Sequence, residues 1–240
     1  MKILLFLSVI FGFAAHAQNT SSKAMNTSLL VHKCADFSLT GKGDNAEWNK
    51  AEWQALNQLD SGVQNYDTKF KILYSEKGIY VLFDGKDQKI TTTYQHDFED
   101  LFKADVFEVF FHPDPSAPLY FEYEVNHLNK ELVLLIPNFG KGVAGWQPWH
   151  YEGARVVQKM VHIEGGKSEA GASITSWRAE LFFPFDILST FPNVPPKSGT
   201  TWNANFYRLD YDTGKMIKWA RSPIEHTFHE YKRFGSIQFE

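Results

Sequence analysis

Two carboxylates lie inside strand-like apolar runs, where an acid is out of place. Glu108 falls in Asp105-Val106-Phe107-Glu108-Val109-Phe110-Phe111, and Glu124 falls in Leu119-Tyr120-Phe121-Glu122-Tyr123-Glu124-Val125-Asn126. Burying an acid is costly unless something hydrogen-bonds it. That partner is either a protein group, such as a backbone amide or an arginine, or the hydroxyl of a ligand. Both readings of Glu108 stay open on the strand alone. If the two runs are neighbouring strands, two carboxyls about 5–9 Å apart also have the spacing of a glycoside-hydrolysing pair. The segment Ala144-Gly145-Trp146-Gln147-Pro148-Trp149-His150-Tyr151 is a second candidate. Trp146 and Trp149 in a Gly/Pro loop are poor core material and good binding material. The competing reading is a loop folded back to plug one end of the domain. Trp202 and Trp219 sit in strand patterns and read as core.

Other reactive types are weaker signals. Arg208 lies beside Asp210 and Asp212, and an ion pair holding the end of a sheet explains it. Asp210 and Asp212 precede Gly214 in a pattern with a faint likeness to a calcium loop. The late bidentate Glu of an EF-hand is missing, so only another kind of oxygen-ligand calcium site is open. Asp97, Glu99 and Asp100 read as a solvated acidic loop. His226 and His229 flank Phe228 without a visible third metal ligand, which favours hydrogen bonding near a pocket.

The elements positioning these residues are strands. Hydrophobic alternation has period two, and long amphipathic helices are missing. Residues 68–74 and 79–83 form a hairpin across Ser75-Glu76-Lys77-Gly78, followed by a strand at 106–112. A second hairpin pairs 119–126 with 131–136 around Leu128-Asn129-Lys130. Further strands are expected at 154–163 and 172–183, and at 201–209 paired with 215–220 across Asp212-Thr213-Gly214. The chain closes with a strand at 234–239. Short helical turns are expected at 44–48 and 184–188. About ten to twelve short strands predict an all-β fold, a single antiparallel two-sheet β-sandwich.

Composition narrows the function further. The net charge of -4 argues against a nucleic-acid partner, which favours a basic face. Cys34 is the one cysteine, so neither an internal disulfide nor a cysteine metal cluster is available. At the start, Lys2, the apolar Ile3–Ala15 and Ala15-His16-Ala17 have the pattern of a signal peptide over residues 1–17. The apolar stretch is too short to span a bilayer comfortably. The expectation is a secreted or periplasmic monomer, with a flexible lead-in over 18–32 and one domain over 33–240.

Five stretches together resemble the family 9 carbohydrate-binding modules and their secreted bacterial relatives. They are Gly43-Asp44 with Trp48, the hairpin Lys71–Phe83, Asp105 with Glu108-Val109-Phe110, Gly199 with Trp202, Asn205 and Arg208, and His229 through Phe234-Gly235 to Phe239. The match spans nearly the whole domain. It implies a β-sandwich, often holding calcium, that binds sugars between two aromatic platforms while polar groups meet the hydroxyls. Carried onto this chain, the platforms are Phe102 and Phe228, both Trp in the best-known type. The polar groups are Glu108, Glu124 and Asn126, with Glu124 standing where that type has Arg.

The expected function is therefore a secreted, non-catalytic protein that binds a polysaccharide or oligosaccharide of the xylan or glucan class during carbohydrate breakdown, in company with enzymes such as xylanases. The contacts expected are Phe102, Glu108, Glu124, Asn126, Trp146, Trp149 and Phe228, and a structural calcium at Asp210 and Asp212 is the one cofactor considered. Two alternatives are an endoxylanase-like hydrolase using Glu108 and Glu124, and a haem-binding sandwich using Met160 or Met216.

Overall fold

A computed structural model describes residues 28–61 and 66–240. The signal-peptide expectation over 1–17 lies outside them. Fourteen strands form in chain order: β1 (Leu29–Lys33), β2 (Gln54–Ala55), β3 (Asn57–Gln58), β4 (Thr68–Tyr74), β5 (Gly78–Lys86), β6 (Val106–His112), β7 (Leu119–Asn126), β8 (Glu131–Pro137), β9 (Gln147–Pro148), β10 (Gln158–Glu164), β11 (Ser176–Pro184), β12 (Thr201–Asp210), β13 (Ile217–Ala220) and β14 (Gly235–Phe239). The expected helical turns are short 3-10 segments at Ala46–Lys50 and Phe185–Leu188. No helix among the described residues is long and apolar enough to cross a membrane.

The strands are hydrogen-bonded in one path, β10-β11-β5-β4-β1-β14-β12-β6-β7-β8-β9, with β13 paired to β12. This corrects the expectation of two separate antiparallel sheets. One mixed sheet curls on itself, and β1 is the seam. It runs parallel to β4 on one side and to β14 on the other. The other ladders along the path are antiparallel. The lead-in is corrected with it, because residues 29–32 belong to this seam strand. Alternation reveals which face of a strand is apolar and says nothing about which edge it joins.

The two arms of the curl face one another across an aromatic core. Phe70 of β4 stacks on Phe206 of β12 with centroids 4.0 Å apart. Phe83 of β5 stacks on Phe107 of β6 at 4.7 Å, and Phe107 on Trp177 of β11 at 3.9 Å. Trp202 and Trp219 are fully buried, as expected. Because side chains alternate, sending Phe107, Val109 and Phe111 into this core turns Glu108 and Phe110 to the opposite face. That face carries the candidate site.

Candidate carbohydrate site

Strand register builds the site in two rows. One row crosses Tyr207 of β12, Glu108 of β6, Glu124 of β7 and Leu132 of β8. The next crosses Asn205, Phe110, Glu122 and Leu134. A second apolar layer covers part of this face. It joins Leu101, Phe110, Tyr120, Leu134, Tyr207, Phe228 and Phe234 and takes Phe102 against its side. A cavity of about 250 Å³ remains. Phe102, Phe110, Phe228 and Trp146 give it apolar walls, while Glu108, Glu122 and His229 supply polar groups.

The carboxyls are unusual for their isolation. Glu108, Glu122 and Glu124 are all nearly fully buried, and none forms an ion pair with Lys or Arg among the described residues. Both oxygens of Glu124 and Oε2 of Glu122 lack a hydrogen-bond partner. Glu122 and Glu124 lie close enough to bias one another's protons. Burial pushes the Glu122 carboxyl up to about 8. Burial also drives Glu108 well up, helped by the charge of Glu122. Glu124 is raised by burial, then by Glu108 and Glu122. Desolvation and like charge both favour the neutral acid. His229 donates or accepts at Nδ1 with the Tyr120 hydroxyl at 2.8 Å and sits 3.8 Å from Glu122. Burial lowers it to about 4, so it is neutral near pH 7.

The aromatic walls are fixed differently. Phe228 lies flat on Tyr207, with centroids 4.0 Å apart and planes at 11°. The Tyr207 hydroxyl donates to the Phe228 carbonyl at 2.9 Å. Phe102 is half-buried on a 3-10 turn, Leu101–Lys103, and its carbonyl accepts from the Tyr211 hydroxyl at 2.8 Å. Trp146 is 61% exposed at the rim.

The structure does not bring every expected residue here. Glu124 stands beside Glu108 without lining the cavity. Asn126 is a correction. Its Oδ1 accepts the amides of Leu128 and Lys130, each at 3.0 Å, and its Nδ2 donates to the Tyr94 carbonyl at 3.1 Å. The side chain is spent on the turn between β7 and β8. Trp149 is a second correction. Gln147 and Pro148 pair with β8, so residues three apart across them point to opposite sides. Trp149 accordingly packs against the main core and donates Nε1 to the Ile187 carbonyl at 3.1 Å. Its replacement by alanine is expected to lower stability by about 2 kcal/mol, read by urea unfolding, with the cavity unchanged. Met216 lines the cavity and Met160 does not, so the two methionines considered for haem are not assembled as a pair.

Sequence reasoning missed Glu122. The signal was present, because Glu122 and Glu124 are two residues apart in an alternating strand and must share a face. The acidic loop at 97–100 proves to be structural. Asp97 accepts the Glu131 amide, Glu99 accepts the amides of Gln95 and His96, and Asp100 pairs with Lys103.

On the opposite, core-facing side, Asp210 and Asp212 meet Asp87 and Asp105, with one oxygen of each within 4.8 Å of the others. Arg208 is fully buried among them. It donates to Asp87 at 3.0 Å, to Asp210 at 2.6 Å, to Thr68 at 3.1 Å and to the Lys86 carbonyl at 2.6 Å. Asp87, despite its burial, is held low by His127 and Arg208. Burial and the neighbouring Asp210 and Asp87 push Asp105 up to about 9. One guanidinium thus bonds two of the four carboxyls, and the all-oxygen donor set suits a hard cation such as calcium.

No curated protein matches the chain. Among solved structures, a Bacteroides uniformis protein proposed to bind carbohydrate is 19% identical with a TM-score of 0.70, covering 89% of this chain and 99% of that one. A Caldicellulosiruptor kristjanssonii family 9 module in complex with glucose is 15% identical with a TM-score of 0.62, covering 89% and 95%. The same organism's module in complex with cellotriose is 15% identical with a TM-score of 0.63, covering 89% and 93%. These likenesses establish the fold. A family model described as "Carbohydrate-binding family 9" matches residues 42–239, nearly all of the domain, and the chain belongs to that family.

Proposed function

We propose that this protein binds an oligosaccharide or a polysaccharide chain in the cavity beside β6 and β7, without cleaving it. The sugar's CH face lies against Phe102 and Phe228, and Trp146 extends the apolar surface at the rim. Its hydroxyls meet Glu108 and Glu122. Sugar sites combine flat apolar walls with a few fixed polar groups. The observation that carries this reading is an aromatic-walled cavity onto which two buried carboxyls, Glu108 and Glu122, open without a Lys or Arg partner among the described residues. Family membership supports it, as do the solved modules holding glucose and cellotriose. Xylan and glucan chains are the ligand class we favour, encountered outside the cytoplasm after export.

Catalysis is disfavoured by the state of the acids. A glycosidase pair keeps one carboxylate ionised while the other is protonated. Here burial biases Glu108, Glu122 and Glu124 alike toward the neutral form.

Affinity gels containing xylan, mannan or a soluble glucan test the reading. Retarded migration is expected on at least one. Trp146→Ala is expected to weaken that binding about tenfold by removing the rim surface. Unretarded migration on all three polymers overturns the proposal.

We also assign Asp87, Asp105, Asp210 and Asp212 as the residues that would hold a calcium ion, whose charge would offset the cluster's repulsion and tie β12 to the segments after β5 and before β6. A cation binding only the folded state adds about 2.7 kcal/mol at a hundredfold excess over its Kd. Millimolar calcium is expected to raise the melting temperature, and a chelator to reverse the rise. An unchanged melt removes the assignment.

A further inference from the structure

We propose that Glu122, backed by Glu108 and Glu124, meets its ligand as a protonated hydrogen-bond donor, and that its ionisation in alkaline solution releases the ligand. This rests on the binding reading above and adds its regulation. The geometry comes first. Glu108 and Glu124 are directly opposed across neighbouring strands, and Glu122 is the next residue along the same face of β7. Glu122 and Glu108 line the cavity. Such a cluster cannot hold three negative charges without a nearby cation or hydrogen-bond donors to spread them.

The surrounding elements offer little compensation. From β12, Tyr207 uses its hydroxyl on Phe228. From β7, Tyr120 spends its hydroxyl on His229. His229, from the segment before β14, is neutral because burial lowers it to about 4. His226 lines the same wall. Lys218 of β13 is the one cation among the lining residues and lies 3.9 Å from Asp60, so part of its charge is directed elsewhere. On the turn at Leu101–Lys103, Lys103 pairs with Asp100. Leu132 and Leu134 of β8 bring no charge.

The chemistry differs from that of an ordinary acidic sugar site. An ionised carboxylate only accepts hydrogen bonds, whereas a carboxylic acid also donates one. Glu122 in its neutral form offers its proton to a ligand oxygen, such as a ring oxygen, a glycosidic oxygen or a hydroxyl lone pair. Burial pushes its carboxyl up to about 8. Once ionised it presents a charge with no donor opposite and strengthens the repulsion on Glu108 and Glu124.

Cellotriose is the probe, titrated by calorimetry at pH 6.5 and pH 9. If only the protonated site binds, a group losing its proton at about 8 weakens apparent affinity about tenfold at pH 9. Glu122→Gln, a neutral near-isostere, is expected to give the same affinity ratio of about one between these pH values, whatever its absolute affinity. Equal wild-type affinity at both values overturns the proposal and leaves the binding reading standing. So does a transition centred below pH 7. Failure of cellotriose, xylohexaose and mannohexaose to bind at either pH overturns the binding reading, and this proposal falls with it.

Discussion

Arg208→Met is expected to cost about 3–5 kcal/mol of folding stability, the usual penalty for removing one partner of a buried ion pair. Arg208 is fully buried and bonds two carboxylates, a hydroxyl and a carbonyl. Its guanidinium carbon also lies 5.1 Å from the ring centres of Tyr66 and Trp219. Methionine fills much of the space but takes the cation from Asp210 and leaves Asp87 to His127 and the Lys89 amide, where water cannot reach them. For a chain of this size each kcal/mol moves the melting temperature by about 2–4 °C, so a fall of roughly 10 °C is expected. Adding Asp210→Asn to Arg208→Met is expected to recover part of the loss, because it removes one orphaned charge. A single-mutant loss under about 1 kcal/mol would show that the cluster contributes far less than its geometry implies.

The second large effect concerns alkali. The folded-state carboxyls of Glu108, Glu122 and Glu124 all titrate above their unfolded values, Glu122 at about 8. Between the ordinary glutamate range and those raised values, the folded state binds more protons than the unfolded one. Stability therefore falls as pH rises through that window and is fully present below it. The melting temperature is expected to be highest near pH 5 and to drop by about 10 °C by pH 9. Glu122→Gln removes one titrating group and is expected to flatten the slope while stabilising the protein above pH 8. A calorimetric series that is flat or rising from pH 5 to 9 would rule out a buried, neutral cluster.

Much of this was legible in the chain, and the misses have specific causes. Period-two alternation located β4 to β8 and placed Glu108 in the middle of a strand. The family likeness put Phe102 and Phe228 at the platforms, and both line the cavity. The family likeness made Asn126 a ligand contact beside Glu124. The tight β7–β8 turn needed its amide, with Asn129 at φ 59°. Trp146 and Trp149 looked equivalent because composition marks a loop as a unit. A two-residue strand between them sends one tryptophan to the cavity and the other to the core. Glu122 was visible by alternation but has no counterpart in the resemblance. The seam strand β1 was read as part of a lead-in because five residues carry too little alternation to stand out.

That seam also orders the assembly in time. On one edge β1 meets the far end of the described chain, with Leu29 opposite Ile237, and on the other it meets β4, with Lys33 opposite Tyr74. Such pairings carry a large chain-closure penalty and form late. One edge of β1 has no mate until the distant β14 has formed. The seam therefore closes after local hairpins such as β4–β5 and β7–β8.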